Sequence, residues 1–241
     1  MKNDPKALSK GKEMRTRHDK TQMVIKATIG DLISDHASDA ERLLEVADIG
    51  WQTLFYRSQM PDAKLTMIYD WRDERSEEVK EGGIDFRQVD LEESRFPDED
   101  GSYDVVVCNQ VFEHLKNIFL PLSEIHRVLR PGGTFIFSVP NLSALHNVFL
   151  TMFGKQPTTI RLAGSHVRSY AIWSMTQFLT YNGHFRVLDL KGVGLHPFTS
   201  VRMPGVLRTY CHTPVWALRK EVVDRPNWQE AREATFTTTN F

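Results

Sequence analysis

Residues 21–37, TQMVIKATIGDLISDHA, place Val24, Ile25, Ile29, Leu32 and Ile33 at the spacing that gathers apolar side chains on one face of a helix. Short apolar runs then alternate with helical ones. RLLEVA (42–47) reads as a first strand, and KLTMIYD (64–70) as a second after the turn signal MPDA. DFRQVD (85–90), YDVVVCN (103–109) and GTFIFSVP (133–140) read as strands three to five. The fourth and fifth are nearly continuous in Val, Ile and Phe, which suits strands of a parallel sheet covered on both faces. Between them, NIFLPLSEIHRVLRPGG (117–133) sets Leu122, Ile125, Val128 and Leu129 on one helical stripe and stops at Pro-Gly-Gly. SMTQFLTYNGHFRVLDLKGVG (174–194) repeats the logic as helix, Asn-Gly break and sixth strand, and PVWALRK (214–220) supplies a seventh. The pattern predicts an α/β protein with a doubly wound, seven-stranded sheet. Ligands of such sheets sit beyond the carboxyl ends of the strands, where the strand order reverses.

Composition narrows the picture. The 241 residues, 41% hydrophobic and 25% charged, suffice for one large domain with a buried core. Residues 1–20 and 221–241 are polar and read as tails, which leaves 21–220 for the domain. Two stretches, about 141–170 and about 192–214, exceed what the alternation needs: the first reads as a cap, the second as an insertion that completes a pocket or makes a homodimer contact. Within the cap, NVFLTMF is expected to pack the insertion onto the sheet. A net charge of −1 argues against broad attraction to nucleic acid or to an anionic membrane. The two cysteines, Cys108 and Cys211, form neither a disulfide framework nor a zinc quartet, and a reducing cytoplasm fits them. No run approaches the roughly 18 apolar residues of a spanning helix, and the first 20 residues lack the apolar core of a signal peptide.

Residues 96–141, FPDEDGSYDVVVCNQVFEHLKNIFLPLSEIHRVLRPGGTFIFSVPN, carry an acid-rich FPD segment, YDVVVCNQVFEHL and LRPGGTFIFSVPN in that order. In combination these resemble the central half of a class I S-adenosylmethionine-dependent methyltransferase of the type 11 kind. The segments 141–158 and 166–194 resemble the branch that methylates cell-envelope sugars and related metabolites. The resemblance covers roughly residues 40–220. It implies a Rossmann-like mixed sheet whose last strand runs antiparallel, with S-adenosylmethionine lying across the ends of strands one to four. Carried over by residue, Asp70, followed by Trp71, matches the acid that binds the ribose hydroxyls. Asp90 and Leu91 match the pair that meets the adenine, and Asn109 and Gln110 the loop facing the amino-acid end of the cofactor. An acid at a strand end also has a plainer role, as a solvated cap.

The first turn departs from the family's pattern of an acid followed by three closely spaced glycines. With Glu45 as the acid, Ala47, Ile49 and Trp51 stand where glycines belong; with Asp48, Gly50 is kept but Gln52 and Leu54 fill the other two positions. The Glu45 register leaves a longer helix before MPDA. A bulky residue forced into the left-handed region costs of order 1–2 kcal/mol, and Trp51 or Ile49 can fill the volume that the methionine moiety needs. Three outcomes are open: the loop takes another path and still binds cofactor through Glu45, Asp70 and Asp90; it binds weakly, helped by substrate; or the fold is kept for assembly without catalysis.

Methyl transfer to a hydroxyl needs an aligned acceptor, exclusion of water and a group that takes the proton. His114 in FEHL, His146 in SALHN and His166 in GSHVRSY are candidates for that group. Asn141, Arg161 and Arg168 are candidates for holding the acceptor, a guanidinium being suited to a phosphate or carboxylate. The acceptor expected is a small polar molecule such as a sugar or sugar nucleotide. No metal-ligand spacing stands out. A nicotinamide dehydrogenase would need a G-x-G-x-x-G turn, and a nucleic-acid methyltransferase a basic stripe; neither is present in the sequence.

Overall fold

The computed structural model describes residues 5–47, 52–69, 81–196, 198–203 and 205–238. Helix α1 (Pro5–His36) precedes β1 (Arg42–Ala47), α2 (Gln52–Gln59), β2 (Lys64–Tyr69), β3 (Asp85–Gln88) and β4 (Tyr103–Asn109). There follow α3 (Phe119–Val128), β5 (Leu129–Ser138), α4 (Leu145–Met152) and α5 (Ile172–Leu179). The chain closes with β6 (Phe185–Leu195), β7 (Phe198–Met203), β8 (Thr213–Lys220) and α6 (Trp228–Thr238).

The strands form one sheet in the order β3-β2-β1-β4-β5-β8-β6-β7. The first five run parallel, and β8 pairs antiparallel with both β5 and β6. The α/β, doubly wound mixed sheet is therefore present, with eight strands rather than seven. The extra strand, β7, lies in the stretch read as a second insertion and pairs antiparallel with β6 at the sheet edge. Its sequence, FTSVRM, mixes apolar and polar positions too weakly to announce a strand beside Gly and Pro.

Each face of the sheet packs a separate apolar layer. Leu43, Leu65, Met67, Val105 and Val107 lie under Ile25, Ile29, Leu32 and Ile33 of α1. Leu44, Val46, Ile68, Val106 and Cys108 lie under Leu122, Ile125 and Val128 of α3. Both cysteines are buried and free. Leu129, expected on the helical stripe, instead opens β5. Between the pairs Tyr103↔Leu129 and Val105↔Thr134 the register shifts, so Arg130–Gly133 bulge out of the ladder. Gly132 takes φ 73°, and a Cβ on Gly133 would sit 2.9 Å from the carbonyl oxygens of both Arg130 and Asp104. That close approach is why this turn uses paired glycines.

The FPD segment is a joint. Phe96 enters the core, and Asp98 Oδ1 accepts from Arg87 of β3 at 2.5 Å and from the Tyr103 hydroxyl of β4 at 2.7 Å. The C-terminal stretch, expected to be a polar tail, carries α6. Trp228 is 1% exposed, packs beside His126, His184 and Phe185, and donates its indole N–H to Phe178 O at 2.6 Å. A single large aromatic residue anchors an otherwise polar helix, which average polarity conceals. No helix among the described residues is long and apolar enough to cross a membrane.

Candidate functional site

The strand order reverses at β1, which pairs with β2 on one side and β4 on the other. The crevice beyond the carboxyl ends of these strands is the ligand position that topology favours. Gly50, Trp51, Asp70 and Trp71 lie outside the described residues, and Ala47 is the last residue of β1.

Glu45 is 1% exposed on the face covered by α1, and its Oε2 accepts the Thr53 hydroxyl at the start of α2. Burial pushes its carboxyl up to about 7, against the opposing pull of the Thr53 hydrogen bond and the Lys26 ammonium. Lys26 is itself lowered by burial, partly offset by Glu45. The carboxylate thus ties β1 to α2 across the first turn. At the end of β4, Asn109 is 6% exposed; its Oδ1 accepts the Ser138 hydroxyl while its Nδ2 has no hydrogen-bond partner. Gln110 follows with φ 57°, a left-handed turn rare outside glycine, and its N–H donates to Ser138 O at 3.0 Å. A buried amide donor left unmade is costly, and here it lies at the strand end where a polar ligand is expected.

Asp90 is exposed, and its Oδ1 accepts the backbone N–H groups of Glu92 and Glu93 at 2.9 and 3.2 Å, so this carboxylate caps a turn. Leu91 is buried in the core.

The three candidate histidines fall into two clusters. His114 and His166 meet edge to face, ring centroids 4.8 Å apart. The segment after His166 is stitched to the turn after β4: Val167 and Arg168 N–H both donate to Glu113 O at 2.8 and 3.2 Å, and the Tyr170 hydroxyl donates to Phe112 O at 2.9 Å. His146 instead lies beside His196 and His212, at 5.0 and 5.8 Å, with its Nε2 2.8 Å from the Thr158 hydroxyl. Burial, then the neighbouring His196, lowers its pKa. Thr158 and Thr159 bridge the clusters, because His166 Nδ1 reaches Thr159 O at 2.8 Å. His196, His212 and the two threonines were not singled out by sequence, since nothing local marks a polar side chain as inward-facing.

One acceptor assignment needs correction. Asn141 is 0% exposed, donates to Thr209 O and Cys211 O at 3.0 and 2.8 Å, and accepts from Ser143 N–H at 2.9 Å. Its amide joins the cap to the second insertion and has no face left for an acceptor. Arg168 spends a guanidinium N–H on Lys116 O at 2.5 Å, clamping the cap to the turn after β4. Arg161 is exposed on a turn. The NVFLTMF stripe is also corrected: α4 turns Asn147 inward, bonded to Thr158, and leaves Phe149, Met152 and Phe153 exposed.

Residues 52–137 match the family model described as a methyltransferase domain. Over 58 residues, 24% of this chain and 22% of the relative, the chain is 50% identical to a probable S-adenosylmethionine-dependent methyltransferase of Mycolicibacterium smegmatis. Over 121 residues, 49% of this chain and 50% of the relative, it is 28% identical to a ubiquinone biosynthesis O-methyltransferase of Marinobacter nauticus. The matches therefore span from about a fifth to half the length of these curated relatives. Among solved structures, a Thermotoga maritima protein described as a SAM-dependent methyltransferase, possible histamine N-methyltransferase, aligns with TM-score 0.58 at 13% identity, covering 84% of this chain and 91% of that one. Residues 52–137 thus resemble a methyltransferase domain, and the fold is similar to that of a solved S-adenosylmethionine-dependent methyltransferase.

Proposed function

We propose that the chain transfers a methyl group from S-adenosylmethionine to a hydroxyl of a small polar acceptor such as a sugar or sugar nucleotide. The observation that carries this reading is the meeting of His114, on the turn after β4, with His166 from the cap. His166 Nδ1 lies 2.8 Å from Thr159 O and His114 Nδ1 3.2 Å from Ser165 O. A carbonyl only accepts, so each Nδ1 carries the hydrogen and the neutral ring holds its lone pair on Nε2. Both imidazoles are then set to take a hydroxyl proton at Nε2.

The end of β4 fits the donor: the buried Nδ2 of Asn109 is a polar group awaiting a partner. S-adenosylmethionine, when bound, supplies an activated methyl group. The chain's own residues would hold the donor at Asn109 and Gln110, keep water from the acceptor with the cap, and accept the proton. Catalysis of this kind rests mainly on alignment.

Calorimetric titration with S-adenosylmethionine and S-adenosylhomocysteine tests the donor site. Micromolar binding is expected, weakened at least about 10-fold in Asn109→Ala, in line with loss of a buried hydrogen bond. Production of S-adenosylhomocysteine with hydroxylated sugars as acceptors tests the reaction. His166→Ala should lower kcat by roughly 10²–10⁴. A second reading, a methyltransferase fold kept for binding a partner without catalysis, is favoured by one feature: the sequence of the first turn retains Gly50 but also Ile49 and Trp51. No heat at millimolar ligand would select it.

A further inference from the structure

We propose that Glu113, His114 and His166 form a binding site for a divalent transition-metal cation of the zinc class. One ligand atom from each, a carboxylate oxygen and an imidazole nitrogen from each histidine, lies within 4.8 Å of the others. Ligands at about 2.0–2.2 Å around a tetrahedral ion stand roughly 3.4 Å apart, so closure requires movements of about 1 Å in side chains that are already adjacent. Two carboxyl-bearing or imidazole side chains can meet by chance on a surface. Several features set this group apart.

Glu113 is 1% exposed, so one ligand is a buried carboxylate rather than part of a solvated acidic cluster. The site joins two chain segments, and that junction is fixed by backbone: Glu113 O takes the N–H groups of Val167 and Arg168, so His166 is registered against His114 by peptide hydrogen bonds. Each imidazole also directs Nδ1 at a backbone carbonyl, Ser165 O for His114 and Thr159 O for His166. This is the outer-shell arrangement that fixes the tautomer and orientation of a metal-ligating histidine. Two imidazoles and one carboxylate match a borderline cation and leave a fourth position for a substrate oxygen or water. Magnesium, which prefers oxygen donors and keeps its waters, is a poor match.

The binding site stands on this geometry alone. A bound cation and an acceptor proton compete for the same imidazole lone pairs, so the metal-loaded protein holds His114 and His166 as ligands and the metal-free protein holds them as bases.

The test is equilibrium dialysis and calorimetry of the full chain, first stripped with chelator, against Zn²⁺, Co²⁺ and Mg²⁺. One equivalent of Zn²⁺ should bind at micromolar affinity or tighter, Co²⁺ should give visible d–d absorption, and Mg²⁺ should give no stoichiometric binding. His166→Ala and Glu113→Gln should each weaken Zn²⁺ binding by more than about 100-fold, beyond the roughly 10–100-fold cost of losing an outer-shell partner, whereas His36→Ala should leave it unchanged. Circular dichroism confirms that each variant is folded, and if Glu113→Gln is not, His166→Ala decides. Absence of stoichiometric binding by the folded parent, or full retention in folded His166→Ala, overturns the site. Because the readout is metal binding, failure here leaves the donor titration intact, and failure of that titration leaves this site standing.

Discussion

Replacing Arg127 with Ala should destabilise the protein by about 3–5 kcal/mol, the usual cost of removing one partner of a buried ion pair. For a domain of this size that is a fall in Tm of roughly 10 °C or more. Arg127 is the hub of the joint between α3 and the segment leading into β4. One guanidinium nitrogen donates to Asp98 O at 2.7 Å and to Asp100 at 2.8 Å, another to Phe96 O at 2.9 Å and to Glu124 at 2.6 Å. The Glu124 and Arg127 side chains are 6% and 16% exposed. Burial by itself would raise the Glu124 carboxyl; the Arg127 guanidinium and the Phe96 N–H outweigh it, and the net shift is downward. Without Arg127 the buried Glu124 carboxylate keeps only the exposed Arg95, at 3.3 Å, as countercharge, and two carbonyls lose donors. Arg127→Lys should recover only part of the loss, because a point charge cannot span the fork's partners. The double variant Glu124→Ala, Arg127→Ala should be less destabilised than the sum of the single ones. Denaturant unfolding of the four proteins checks this; an Arg127→Ala variant within 1 kcal/mol of the parent would remove the joint from the account.

Glu45→Gln should stabilise the protein, by an amount that grows as pH rises from about 4.5 and is complete above about 7. The Glu45 carboxyl is pushed up to about 7 by burial, from an ordinary value of 4.5. Below about pH 4.5 the acid is protonated in both the folded and unfolded chain, and it carries no penalty. As pH rises towards 7 the unfolded chain releases its proton while the folded chain retains it, so stability falls. The penalty is complete above the folded value and amounts to about 3 kcal/mol. Gln keeps an acceptor for the Thr53 hydroxyl but has no charge to desolvate. The variant should therefore match the parent at pH 4.5 and exceed it by about 2–3 kcal/mol at pH 8. Melting curves from pH 4.5 to 8 measure the difference directly, and a gap that does not change with pH would refute the assignment.

The sequence was sufficient wherever one residue's environment follows from its neighbours in the chain. Alternating apolar runs and helical stripes determined the parallel core of the sheet, because a strand covered on both faces must be apolar at successive positions. Pro-Gly-Gly read as a helix stop and turn; the helix does end before it, at Val128, whereas the bulge that the glycines form inside β5 came only with the structure. The order of FPD, FEHL and LRPGG carried the resemblance to methyltransferases. Tertiary structure decided what those signals cannot encode. It drew β7 into the sheet through pairing with β6, and it kept α6 through one buried tryptophan. It turned the polar face of α4 inward against the expectation from its apolar residues, committed Asn141 to cap architecture, and seated His166 beside His114 and Glu113. Contacts between residues far apart in sequence have no period along the chain. They exist only once the backbone has closed the loop that joins them.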